Sequence, residues 1–247
     1  MLDDPSLWLF AFAWFLAGFV NGISGMGAAM VALPIVAGSM NPAILVPATT
    51  VCVTIISAST AWVFWRHTRW HALKALLVGA VPGAAAGLGI LLILPTSVLQ
   101  LAAGVIMILF VAWQFNHSQG KAHGDTVPAG LTAGFFAGFV NTSISFGNPP
   151  VAIYSLYAGW NQLETLGSMN VYTFFVCLIT MAAHASAGLY TMDVFEHALF
   201  GGPATILGMM AALPIAKHIS QAVFRRILLL VIAAAGVVCL VRGLLAL

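Results

Sequence analysis

Charge is almost missing from this sequence. Asp, Glu, Lys and Arg make up 6% of its 247 residues, where a soluble domain carries about 25%. Eight basic and six acidic side chains cannot solvate a globule of this size, so a water-soluble fold is excluded. The net charge of +2 comes without a basic tract, which leaves nucleic acid nothing to bind. Cysteine is scarce too. Cys52, Cys177 and Cys239 all lie within apolar runs, and neither a disulfide framework nor a metal cluster follows from them. The start, Met1-Leu2-Asp3-Asp4, lacks a basic stretch, and no clear cleavage site follows the first apolar run, so no signal peptide is expected. Enzyme motifs are missing as well: His-Glu-x-x-His, Cys-x-x-Cys and Gly-x-Ser-x-Gly do not occur, nor does a nucleotide-binding loop. The expectation is a non-enzyme without cofactor or metal, in which any transport runs on a gradient or on a separate subunit.

What is present is apolar: 62% of the chain. Polar punctuation divides it into runs at 7–20, 25–39, 43–65, 72–94, 97–115, 128–140, 149–159, 166–189, 197–215 and 223–246. No β-type alternation persists, so the runs predict helices, as lipid requires when backbone groups must be paired internally. Six runs reach the roughly 20 residues needed to cross a bilayer. The pairs 7–20 with 25–39 and 128–140 with 149–159 read as too short to cross, each split by a Gly/Ser/Asn-rich turn, and predict broken-helix hairpins with tips inside the membrane.

The two halves repeat. Ala17-Gly18-Phe19-Val20-Asn21 returns as Ala137-Gly138-Phe139-Val140-Asn141, an offset of 120 residues. Gly27, Val31 and Ala32 match Gly147, Val151 and Ala152 at the same offset, and Pro82 and Gly87 match Pro203 and Gly208 at 121. Such colinearity indicates internal duplication. With five elements per half, seven of the eight basic residues fall on one face, including Arg66, Arg69, Lys74, Lys121, Lys217, Arg225 and Arg226, while Asp3, Asp4, Asp193 and Glu196 fall on the other. The positive-inside rule then predicts inverted repeats with both termini outside. The repeats are 1–115 and 128–247, each a hairpin plus three transmembrane helices, joined by a cytoplasmic linker at 116–127 within one membrane domain. Trp8, Trp14, Trp62, Trp65, Trp70 and Trp160 are assigned to aromatic belts at the interfaces.

The two turns are the candidate site. One is Asn21-Gly22-Ile23-Ser24-Gly25-Met26-Gly27; the other runs Asn141-Thr142-Ser143-Ile144-Ser145-Phe146-Gly147-Asn148-Pro149-Pro150. In inverted repeats, half-helix N-termini at such breaks aim positive dipole ends at an anion. Glycine permits close approach, and Ser, Thr and Asn add short donors. Helix packing explains one such turn; two at matched positions favour a site. Asn170, Thr173, Cys177, Thr180 and His184 recur at spacings of 3 and 4, placing a polar stripe on one helical face. Thr50, Thr54 and Ser57 form its counterpart in the first half, and interhelical hydrogen bonding is the plain alternative for these threonines. His184, inside a span, is the candidate proton site.

These turns, together with the Ala-Gly-Phe starts, the Pro82-Gly83 span and the small size, resemble the TauE/SafE family over essentially the whole chain. The resemblance maps the family's first turn onto Gly22, Gly25, Met26 and Gly27. Its second turn maps onto Gly147-Asn148-Pro149-Pro150, with Asn148 where glycine is common. Ser168 and Asn170 occupy a stretch where many relatives carry an arginine. What the resemblance implies is a multi-pass protein of the cell membrane that exports sulfite, a short organosulfonate or a related sulfur-containing anion. The expected partners are that anion, the lipid bilayer and a second copy of the chain as a homodimer; a channel or importer of the same anion, or a membrane enzyme or assembly subunit, is the alternative.

Overall fold

The computed structural model describes residues 4–25, 27–36, 39–116, 123–145 and 147–216, with 230, 233–234, 236–241 and 243–245. Among the described residues there are helices and no strand. In order they are α1 (Pro5–Ser24), α2 (Ala28–Val36), α3 (Pro42–Phe64), α4 (Trp70–Ile93), α5 (Thr96–Asn116), α6 (Val127–Ile144), α7 (Asn148–Ala158), α8 (Gln162–Ser186) and α9 (Met192–Ala216). A 3-10 turn, Trp65–His67, links α3 to α4. Lys121, Lys217, Arg225 and Arg226 lie outside the described residues, as does half of the run 223–246.

The helix ends follow local chemistry. Asp4 caps α1 by accepting the Ser6 N–H at 2.8 Å, which holds its carboxyl below the usual carboxylate pKa, and Pro5 opens the helix where its missing N–H costs nothing. Asn161 and Glu164 form a reciprocal capping box on α8. At the other end of α8, Gly188 adopts a left-handed φ of 69°, and the Leu189 N–H reaches back to the His184 carbonyl at 3.1 Å.

The stretches Pro5–Ile23, Pro42–His67, Trp70–Ile93, Val127–Ile144 and Leu163–Ser186 are each long and apolar enough to cross a membrane. This bears out an all-α polytopic membrane protein and corrects the reading of the hairpins. Their first limbs, α1 and α6, are 20 and 18 residues long, because Asn21 and Asn141 belong to the last helical turn and not to the break. Polar side chains there hydrogen-bond the preceding turn, as Ser143 Oγ does to the Phe139 carbonyl at 2.8 Å, so helix continues through residues read as a turn. The second limbs stay short, at 9 and 11 residues.

The described residues fall into two compact units: one within 1–52, 94–117 and 190–247, the other within 53–93 and 118–189. Each is built on a seam of glycines. In the second unit Gly79, Gly83 and Gly87 of α4 lie against the backbone at Leu131, Phe135 and Phe139 of α6. Gly130, Gly134 and Gly138 of α6 lie against Ala75, Leu76 and Ala80 in return. Spacing by four puts each triplet on one face, and a Cβ at most of these positions would run into a carbonyl of the facing helix. In the first unit Gly18 and Gly22 of α1 meet Thr205 and Met209 of α9, and Gly208 of α9 meets Phe15. Both seams therefore join a helix from one half of the sequence to a helix from the other.

Aromatic residues divide differently from the expectation. Trp8, Trp62, Trp65 and Trp70 are exposed, as a belt requires. Trp14 is fully buried beside Phe10, one turn away on the same face of α1, and Trp160 is buried with its Nε1 donating to Asp125 at 2.7 Å. These two are core residues.

Candidate functional site

The tip of the second hairpin begins at Ser145, which caps α6 in the left-handed conformation at φ 56° and donates its N–H to the Asn141 carbonyl at 2.8 Å. Among the described residues it is the one non-glycine with positive φ. Gly147 then passes so near α6 that a Cβ would come within 2.7 Å of the Asn141 Cβ and 2.8 Å of the Ala137 carbonyl. That approach requires glycine. Asn148, Pro149 and Pro150 start α7.

Against this tip lies the polar stripe of α8. The Asn141 amide donates to Thr180 Oγ1 at 3.0 Å and approaches Cys177 Sγ at 3.9 Å. The Thr180 and Thr142 hydroxyls are 2.9 Å apart. Asn148 Oδ1 lies 3.0 Å from Thr173 Oγ1. His184 Nε2 lies 3.1 Å from the Thr142 carbonyl. Four of the five stripe residues thus touch the tip or the end of α6 that leads into it, at the spacing that puts them on one face. All of these residues but Asn148 are buried, and a cluster of buried, mutually paired polar groups holds a tip rigidly.

The other expected site residues take quieter positions. Asn170 donates to the Leu166 carbonyl at 2.9 Å, Thr50 to Val46 at 2.8 Å and Ser143 to Phe139, each within its own helix. Ser57 bonds its own helix at Val53, and Thr54 reaches Met181 Sδ at 3.6 Å.

The first turn reverses the chain in the same way. Gly25 caps α1 at φ 72° and donates to the Asn21 carbonyl at 2.6 Å, and Gly27 follows at φ 92°. Asn21 is buried, and Gly22 sits in the α9 seam, where a Cβ would come within 2.9 Å of the Met209 carbonyl. Met26, Phe146 and the side chain of Ser24 lie outside the described residues.

Two clusters escaped sequence reasoning. Arg69 Nε lies 3.5 Å from Glu164 and 3.8 Å from Asp125, and its backbone N–H donates to Ser168 Oγ at 2.9 Å. With Trp160 on Asp125, these contacts gather the α3–α4 corner, the segment before α6 and the start of α8. At the start of α1, Ser6 Oγ lies 3.2 Å from His197 Nε2, and His197 Nδ1 donates to the Asp193 carbonyl at 2.7 Å. Complementary charges at 69, 125 and 164 were the available signal for the first cluster; nothing marked the second. No group of His, Cys, Asp and Glu suited to a metal occurs among the described residues.

Apolar helices of spanning length, packed on glycine seams, define a multi-pass membrane protein. The family model for the sulfite exporter TauE/SafE matches residues 10–239, and the chain belongs to that family. It is a family of membrane transporters of sulfite or related anions. No protein of curated function and no solved structure matches the chain significantly.

Proposed function

We propose that the protein exports a small sulfur-containing anion, sulfite or a short organosulfonate, across the cell membrane by alternating access. The observation that carries this reading is the convergence of the second hairpin tip with the α8 stripe, where Asn141, Thr142 and Asn148 meet Thr173, Cys177, Thr180 and His184. Such a cluster presents amide and hydroxyl donors without fixed charge, which holds an oxyanion loosely enough to release it. The anion lies against Ser145, Gly147 and Asn148, with Thr142, Ser143, Asn170 and Thr173 behind them. Asn21, Gly22, Ser24, Gly25, Met26 and Gly27 play the matching part in the first turn, beside Thr50.

The gathering of Arg69, Asp125 and Glu164 supports placing these three on one membrane face, the cytoplasmic one by the basic bias. Both termini are then extracytoplasmic and the halves are inverted. Reporter fusions at residues 121 and 247 should report opposite sides; the same side for both would reject the inversion. Transport itself is tested by efflux of sulfite and of isethionate from proteoliposomes holding only the purified protein. Efflux above protein-free vesicles is expected. No movement of either anion, in a preparation shown to be folded, would reject the reading.

A further inference from the structure

His184 stands where two helices end. It occupies the last turn of α8, which stops at Ser186, and its Nε2 contacts the carbonyl of Thr142, two residues before the end of α6. A carbonyl only accepts, so Nε2 carries a proton and donates it. Nδ1 faces away from that carbonyl, fully buried, with no hydrogen-bond partner among the described residues. In the neutral ring Nδ1 is a bare lone pair, and a lone pair beside an anion is repulsive. In the imidazolium it is a second donor, and the ring becomes a cation between two helix C-termini, whose dipoles favour positive charge.

The charges on the elements packed against α8 lie toward its start, where Arg69 pairs with Glu164, and His184 is in its last turn. α6 has no titratable side chain, nor does α3 after Cys52. α4 brings His71 and Lys74 in its first two turns, the 3-10 turn brings Arg66 and His67, and α7 brings Tyr154 and Tyr157. On α8 itself there are Glu164 in the first turn, Tyr172, and Cys177 two turns before His184. The hairpin 127–158 contains no Lys or Arg, so an anion held there meets no fixed cation.

We propose that His184 is a proton site coupled to the anion site, so that the protein loads a proton and an anion together. This deepens the transport reading and rests on it. The two ligands then help each other: the anion tightens proton binding, and the proton tightens anion binding by the same factor. The proton neutralises the load, and the second tip needs no arginine.

The test uses methanesulfonate, which does not itself titrate near neutral pH, with sulfite in parallel. Calorimetric titration of the purified protein in two buffers of different ionisation heat should show proton uptake on methanesulfonate binding. Affinity should weaken as pH rises, by at most about tenfold per unit. His184→Gln keeps an N–H for the Thr142 carbonyl and cannot titrate; it should bind with no proton uptake and a flat pH profile. Binding to the natural protein without proton uptake overturns the coupling and leaves the anion site standing. A His184→Gln protein that still takes up protons places the site on another residue. Failure of the natural protein to bind either anion rejects the transport reading, and this proposal with it.

Discussion

The two hairpin tips share a backbone and differ in chemistry. At residue 25 and at residue 145, 120 positions on, the first limb ends in a left-handed cap whose N–H returns to the carbonyl of Asn21 or Asn141. Beyond the cap they part. α2 opens with Ala28, Ala29 and Met30, three residues whose amide hydrogens the helix leaves unpaired. α7 opens with Asn148, Pro149 and Pro150, and two of those amides do not exist. The first tip is rich in backbone donors. The second lacks them and relies on side chains: Asn141, Thr142 and Asn148, braced by Thr173 and Thr180. The two turns thus share a reversal and differ in which groups would meet a ligand.

The most severe way to break the comparison is at the seams, which both units need. Leucine at Gly134, or at Gly18, puts a side chain into the facing backbone of α4 or α9. Overpacking there costs about 3 kcal/mol or more, so neither variant should yield folded, monodisperse protein in detergent. If only one of the pair fails, the seams are not equivalent.

A smaller effect is expected within the second tip. Asn141→Ala removes the donor to Thr180 and should lower stability by about 1–3 kcal/mol in a thermal melt. Thr180→Val should cost a similar amount, and the double variant little more than either alone, because the groups act as one network. Additive losses would show that Asn141 and Thr180 hold the tip independently.

The finest contrast is at the caps. Ser145 carries a Cβ in a conformation that glycine adopts freely, so Ser145→Gly should stabilise by up to about 1 kcal/mol. Gly25→Ser should destabilise by about as much. Opposite signs in matched melts support equivalent caps; a loss at both would mean that the Ser145 side chain contributes more than its strain removes.

Much of this was readable beforehand, for reasons that are local. The offset between Asn21 and Asn141 located two caps of one geometry, and spacings of 3 and 4 placed the α8 stripe on one face, because helical periodicity is written directly into the sequence. Where each tip starts was not readable. Asn, Thr and Ser mark turns in water, yet here they pair with their own helix or with α8, and the helix runs a turn further. Pairings across long separations were hidden as well. Ser6 with His197 and Arg69 with Asp125 depend on which helices become neighbours, and both glycine seams exchange helices between the halves. Trp14 and Trp160 misled because tryptophan suits both an interface and a core.

The central claim, that an anion is held at the second tip, rests most directly on Ser145. It is buried and already left-handed, a conformation that Asp and Asn tolerate, so both replacements should fold. A carboxylate about 5 Å from the anion, at an effective dielectric of about 20, opposes it by about 3 kcal/mol, more than about a hundredfold in affinity. Sulfite binding to the purified proteins should therefore vanish in Ser145→Asp and persist within about tenfold in Ser145→Asn, the neutral control. Wild-type affinity in a folded Ser145→Asp protein would contradict the account and move the site elsewhere, with the exposed basic corner of Arg66, Arg69 and Lys74 first in line.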